Sequence, residues 1–115
     1  MPKKIKGLAP SLREKKRYIK LEIIPVFEDK IYSPRPMTEV IKILKNKLGL
    51  FDAAKAGIVP VKYFSKSKKM ILRVATNSLD KIRAILLFID SIGTQQVIIR
   101  SIQVSGAVNK VMEEK

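Results

Sequence analysis

Eight cations crowd the first twenty residues: Lys3, Lys4, Lys6, Arg13, Lys15, Lys16, Arg17 and Lys20, facing a single acid, Glu14. That segment carries a net +7, half of the chain's +14. The chemistry open to such a block is phosphate binding, because each nucleic-acid phosphate that a cation neutralises releases condensed counterions. A solvated tail that confers only solubility is the plainer alternative. Acid–base and nucleophilic chemistry have little to work with. The chain has no histidine and no cysteine, so the commonest general base and every thiolate metal site are missing. Its ten acids form no spaced cluster suited to a two-metal nuclease, and its five glycines form no phosphate-binding loop. An acylphosphatase-like site would need a glycine-rich loop with a phosphate-gripping arginine after the first strand. Residues 26–36 offer Arg35 but no glycine. Intrinsic catalysis is therefore not expected.

These residues need elements to hold them. At 115 residues and 46% hydrophobic, the chain is one folded domain decorated with charge rather than a disordered basic protein. No apolar run reaches the roughly 20 residues that span a bilayer, and no signal-peptide core opens the chain, so a cytoplasmic protein without a membrane partner is expected. Residues 17–25 alternate Ile19, Leu21 and Ile23 with Tyr18, Lys20 and Glu22, the pattern of a strand with one buried face. Residues 26–36, with Pro34 and Pro36, read as a loop. Met37, Val40, Ile41, Leu44 and Leu48 recur at helical spacing and end at Gly49, and residues 50–57 read as a connection. Residues 58–65 and 70–76, joined by Lys66-Ser67-Lys68-Lys69, form a hairpin. A second helix runs from a cap at Asn77 or Ser78 to Gly93, residues 97–105 form a last strand, and residues 106–114 a short helix. The string β-α-β-β-α-β folds with right-handed crossovers into an α+β, ferredoxin-like sandwich: a four-stranded antiparallel sheet, spatial order 4-1-3-2, with the helices on one face. A basic arm, 1–16, precedes a single domain, 17–115.

On that scaffold two surfaces stand out. If Ile19, Leu21 and Ile23 face the helices, Lys20 faces away, and Lys62, Arg73 and Arg100 share its side of the sheet. RNA-recognition modules of this architecture stack bases on aromatics in the first and third strands. Here the third strand has none and the first offers only Tyr18, so a face that grips phosphates is expected, or a merely solvated one. The RNA-binding set is thus Arg13, Lys15, Lys16 and Arg17 of the arm with Lys20, Lys62, Arg73 and Arg100 of the sheet. In the second helix Ile82, Ile85, Leu86, Ile89 and Ile92 already fill a core stripe. Ala84, Leu87 and Phe88 fall beside it, either as a wide stripe partly covered by the terminal helix or as a docking surface for another protein.

Three stretches carry a resemblance. Leu8-Ala9-Pro10-Ser11-Leu12-Arg13-Glu14-Lys15-Lys16-Arg17-Tyr18-Ile19 is similar to the LPPTLR-x-KKRYI opening of archaeal ribonuclease P protein component 2, a relative of the eukaryotic Pop/Rpp14-type subunits. Ala54-Lys55-Ala56-Gly57 resembles the family's small-residue stretch before a strand. Val104-Ser105-Gly106-Ala107 with Lys110 resembles its VSGT-x-K ending, with Ala107 in place of threonine and Ala9 in place of the first proline. The resemblance implies a non-catalytic RNA-binding subunit of the ribonucleoprotein that removes the 5′ leader from precursor tRNA. It implies hydrolysis by the RNA subunit with Mg²⁺, and no cofactor in this chain. The partners implied are ribonuclease P RNA, precursor tRNA through the holoenzyme, and protein component 3, which joins a homodimer of component 2 in a heterotetramer. A general nucleic-acid-binding or ribosome-associated protein, and a ferredoxin-like oligomerisation or regulatory module, are the rival readings of the residues.

Overall fold

The centre of the sheet is a ten-residue strand, β1 (Lys16–Pro25), and its alternation dictates where everything else packs. In the computed structural model, which describes residues 15–112, Ile19, Leu21 and Ile23 are buried on one side of it. It pairs antiparallel with β3 (Lys69–Ala75) on one flank and β5 (Gln95–Ser105) on the other. β2 (Val59–Phe64) pairs antiparallel with β3 beyond. The hairpin joining β2 and β3 is closed at Lys68, whose φ of 58° is the one non-glycine positive value among the described residues.

The long strands lie in the order β2-β3-β1-β5, which is the expected 4-1-3-2 read from the other edge. The sheet nevertheless has five strands, not four. A two-residue strand, β4 (Ser91–Ile92), pairs with Gln96 and Gln95 at the edge. It arises because the second helix does not reach Gly93. α3 (Leu79–Leu86) ends early: Leu87, Phe88 and Ile89 donate to the carbonyls of Ala84, Ile85 and Leu86, three residues back rather than four. The chain then turns at Gly93, φ 62°, into β5. Ile89 and Ile92 stay buried in this new path.

The main core lies between the sheet and three helices. α1 (Pro36–Leu48) buries Val40, Ile41, Leu44 and Leu48, and its last turn closes where the Gly49 N–H donates to the Lys45 carbonyl. The segment read as a connection is a helix, α2 (Leu50–Ala56), ended by Gly57 in the left-handed region. Only small residues of α2, Ala53 and Ala56, reach the core, so no apolar stripe announces it. β1, β3 and β5 supply Leu21, Met70, Leu72, Val74, Val97 and Ile99 from the other side.

Not all helices lie on that side. A five-residue helix, α4 (Val108–Met112), packs against β1 and β5 instead of against α3. Gln103 shares the register and the face of Lys20, and its Nε2 donates to the Lys110 carbonyl at 3.0 Å. Val111, Ile71 and Lys20 are buried outside the main core, on the face away from α1 and α3. The expected bare face of the sheet is therefore partly roofed.

Residues 26–35 take no regular structure, yet their path is fixed by one side chain. Gln95, buried at the start of β5, accepts from the Tyr32 N–H at 3.0 Å and donates to the Lys30 carbonyl at 2.7 Å and to Glu28 Oε1 at 3.3 Å.

Candidate nucleic-acid and partner interfaces

The root of the basic arm is held by the sheet. The Lys15 carbonyl accepts from the Thr76 N–H at 2.8 Å, so the chain is already anchored one residue before β1. Lys16 and Arg17 then pair with Ala75 and Val74 of β3. Lys15 is exposed, and Lys16 and Arg17 are half-buried. Arg17 Nη1 donates to the Lys16 carbonyl at 3.1 Å, and its guanidinium rests over Gly106, where an added Cβ would lie 3.4 Å from Nη1. Arg13 and the residues before it lie outside the described residues. Strand β1 begins at Lys16, so the expected boundary after residue 16 falls inside the strand by one residue, within the ordinary fraying of element ends.

The four sheet cations do share one face. Lys62 lies opposite Ile71, Arg73 opposite Tyr18, and Arg100 opposite Glu22, all in register with the side of β1 that carries Lys20. They are not equivalent there. Lys20 is only 3% exposed, with Nζ 5.4 Å from the centre of the Phe64 ring. Ile71, its register partner on β3, is buried as well, and the stems of long cationic side chains can cover apolar surface. Lys62 is exposed at the outer edge, its Nζ 5.8 Å from the same ring. Arg100 is tied to Glu22, with Nη2 at 2.8 Å and Nε at 2.9 Å from Oε1. Arg73 Nε is enclosed and has no hydrogen-bond acceptor among the described residues, a state that costs about 1–3 kcal/mol for a buried donor. The face is thus a set of cations in four different states rather than an open platform.

On the helical side, Leu87 and Phe88 are 78% and 75% exposed, and Ala84 beside them is exposed as well. The early end of α3 is the reason: the tightened turn aims both large side chains at solvent while Ile89 goes inward. Leu87 and Ala84 line a shallow groove between α3 and β5, together with Asp80, Arg83, Ile99 and Arg100. A second apolar pair went unnoticed in the sequence. Leu50 and Phe51 open α2 and are 81% and 80% exposed. Adjacent residues never share one helix face, so a large pair at a helix start, with only alanines to follow, was the available signal. Next to it, Lys81 Nζ lies 2.9 Å from Asp52 Oδ2 and joins α3 to α2; this bond and charge hold the Asp52 carboxyl below its ordinary range.

Catalytic equipment is sparse in the same region. Among the described residues no three acids gather where a metal ion could be held. The Tyr63 phenol, packed against the core, is pushed up from its ordinary value by burial. No described helix is long and apolar enough to cross a membrane.

Comparison with known proteins places this geometry. The Rpp14/Pop5 family model matches residues 17–115. Ribonuclease P protein component 2 of Methanococcus maripaludis strain C7 is 32% identical over 110 residues, covering 96% of this chain and 82% of that protein. The protein of the same name from Thermococcus kodakarensis is 31% identical over 114 residues, covering 96% of this chain and 91% of that one. Among solved structures, a chain in the cryo-EM structure of yeast ribonuclease MRP superposes with a TM-score of 0.59, at 16% identity, over 84% of this chain and 77% of the other. That likeness speaks to the fold alone. The match over the whole described sheet and its helices is decisive for kinship: this chain belongs to the Rpp14/Pop5 family.

Proposed function

We propose that this chain is a non-catalytic, RNA-binding protein subunit of ribonuclease P that supports the catalytic RNA in removing the 5′ leader from precursor tRNA. The observation that carries the reading is the family match across residues 17–115, with relatives named ribonuclease P protein component 2 that align over 96% of this chain and 82% and 91% of their own length. The residues support it. A chain of net charge +14 without histidine has the means to hold phosphate and little means to cleave it. In this reading the metal chemistry belongs to the RNA; among the described residues no group of three acids gathers that could hold a metal ion.

The RNA-binding residues are Arg13, Lys15, Lys16 and Arg17, with Lys62, Arg73 and Arg100 as secondary contacts and Lys20 beneath them. Leu87, Phe88 and Ala84 form the surface for a protein partner, component 3, in a heterotetramer built on a homodimer of this chain, acting in the cytoplasm. The order of the four long strands supports a ferredoxin-like sandwich extended by β4. Precursor-tRNA cleavage by the cognate RNA, measured with and without this chain and component 3, tests the function. Cleavage that rises only when this chain is added bears the reading out. Steady cleavage by the protein without RNA, after contaminating nuclease is excluded, would refute it.

A further inference from the structure

From Ala53 to Leu79 the chain has no Asp or Glu, yet it carries Lys55, Lys62, Lys66, Lys68, Lys69 and Arg73. Lys66, Lys68 and Lys69 fall within one run, and the fold sets that run at the tip of the β2–β3 hairpin, whose turn is residues 65–68. Lys66 is exposed there, and Lys68 and Lys69 are half-buried. Lys69 lies opposite Glu22 in the β1–β3 register, so the outward charge of the tip rests on Lys66 and Lys68.

The backbone of this tip is strained. Lys68 has φ 58°, in the left-handed region where a Cβ crowds the neighbouring carbonyl and where glycine or asparagine is the easier occupant. The turn is also held firmly. The Ile23 N–H donates to the Lys68 carbonyl at 2.9 Å, which ties the tip to β1 as well as to its own two strands. Strained residues that their surroundings hold in place concentrate at binding sites. What lysine offers at this position, and glycine does not, is a charge.

The tip also has a fixed relation to the root of the arm. β3 is seven residues long, so its ends stand about 20 Å apart at roughly 3.3 Å per residue. Lys69 begins β3 at the tip, and Ala75 ends it opposite Lys16 at the root. Two basic points thus mark the two ends of one strand. A small anion can meet only one of them, whereas a nucleic-acid backbone, with phosphates repeated along its length, can meet both.

We propose that the β2–β3 tip, through Lys66 and Lys68, is a second phosphate-binding point for RNA, separate from the root of the arm, and that the left-handed position holds lysine for that contact although glycine would relax the turn. This rests on the RNA-binding reading above. RNA bound along the strand is gripped at both ends of β3, and the pairing of the hairpin with β1 sets the span in advance.

The test uses the full chain and a labelled ribonuclease P RNA transcript. Lys68→Gly and Lys68→Asn both remove the charge and both suit a positive φ. Their denaturant midpoints should lie at or above that of the wild type. RNA binding should nevertheless weaken about 3–10-fold when Lys66→Gln is combined with either, and the slope of log K against log salt should flatten by about 1.5 units, at about 0.7–0.9 per contact. Lys68→Arg, which keeps the charge, should bind as the wild type does. Because the two points are far apart, the loss of slope should add to that from neutralising Arg13, Lys15, Lys16 and Arg17. Lower midpoints in both position-68 variants would show that this lysine serves the fold, and wild-type affinity and slope in the combined variants would leave the tip a solvated turn; either result overturns the proposal. Should the position-68 variants fail to fold, Lys66→Gln alone, at an exposed site, decides: it should flatten the slope by about 0.7–0.9, and an unchanged slope overturns the proposal. A wild-type chain that binds no RNA at all defeats the RNA-binding reading itself. RNA binding that is indifferent to the tip defeats only the second contact.

Discussion

Arg100 and Glu22 face each other across the β1–β5 pair, Nη2 and Nε of the arginine both within 2.9 Å of one carboxylate oxygen. The pair draws one of the four sheet cations away from any phosphate, as the packing over Phe64 does to Lys20. At the arm's root Lys15 is exposed, and Lys16 and Arg17 beside it are half-buried. Neutralising Arg13, Lys15, Lys16 and Arg17 together should therefore flatten the salt dependence of RNA binding by about two to four units, at about 0.7–0.9 per contact. Neutralising Lys20, Lys62, Arg73 and Arg100 should flatten it less. Salt titrations of the two variants make the comparison, and a larger loss from the sheet variant would reverse the assignment. Glu22→Gln, which releases Arg100, should steepen the slope by up to about one contact's worth.

How far these sites were legible depends on whether the signal was local. The alternation of Ile19, Leu21 and Ile23 places Lys20 on the far face correctly, since side chains of a strand alternate without exception short of a bulge. That Lys20 would be buried there was not legible, because the Phe64 ring it lies against comes from β2, a segment far along the chain. α1 was readable from its stripe. α2 was not, because alanines do its packing and its large residues face solvent. The run through Ile82, Leu86, Ile89 and Ile92 fits one helix by spacing, yet a tight turn and a strand at Ser91–Ile92 bury the same isoleucines. Periodicity reports which residues go inside and leaves open the backbone that takes them there. The docking side of α4 and the Arg100–Glu22 pair are matters of register between distant segments, and nothing local encodes them.

The exposure of Leu87 and Phe88 separates fold from assembly. Leu87→Glu and Phe88→Glu should each leave thermal stability within about 0.5 kcal/mol, as surface changes usually do. Association with component 3 should weaken at least about tenfold, which corresponds to about 1.4 kcal/mol. Parallel Leu50→Glu and Phe51→Glu variants ask the same of the second apolar pair. Thermal melts and binding isotherms of the four variants suffice. Full affinity in both Leu87 and Phe88 variants would remove that pair from the interface.

Acid should act on the α2–α3 contact. The Asp52 carboxyl is held below its ordinary value of 3.8 first by the Lys81 hydrogen bond and then by its charge. The folded chain thus keeps this carboxylate ionised where the unfolded chain would protonate it. The stabilisation is complete above 3.8 and fades as pH falls below it through the folded value. Asp52→Asn should make the stability less dependent on pH in that acidic window and leave the remainder of the profile in place. Since both groups are at the surface, added salt should erase much of the difference. Denaturant midpoints recorded down the acid limb for both proteins give the answer, and superimposable limbs would exclude the pair as a contributor.

Gln95 should matter more than its polar character suggests. It sits buried at the head of β5 and satisfies the Tyr32 N–H and the Lys30 carbonyl at once, with Glu28 as a third partner. Gln95→Ala leaves these groups to compete for water in a half-enclosed space, so a loss of about 1–3 kcal/mol is expected. Gln95→Glu discriminates the cause. A carboxylate can still accept from the Tyr32 N–H, but it cannot donate to the Lys30 carbonyl and it places a second negative charge beside Glu28. If the donor side holds the 26–35 loop, the glutamate variant should be destabilised at neutral pH and recover as the solution is acidified enough to protonate it. Equal midpoints for wild type and both variants, with unchanged denaturant slopes, would show that the loop keeps its path without this side chain.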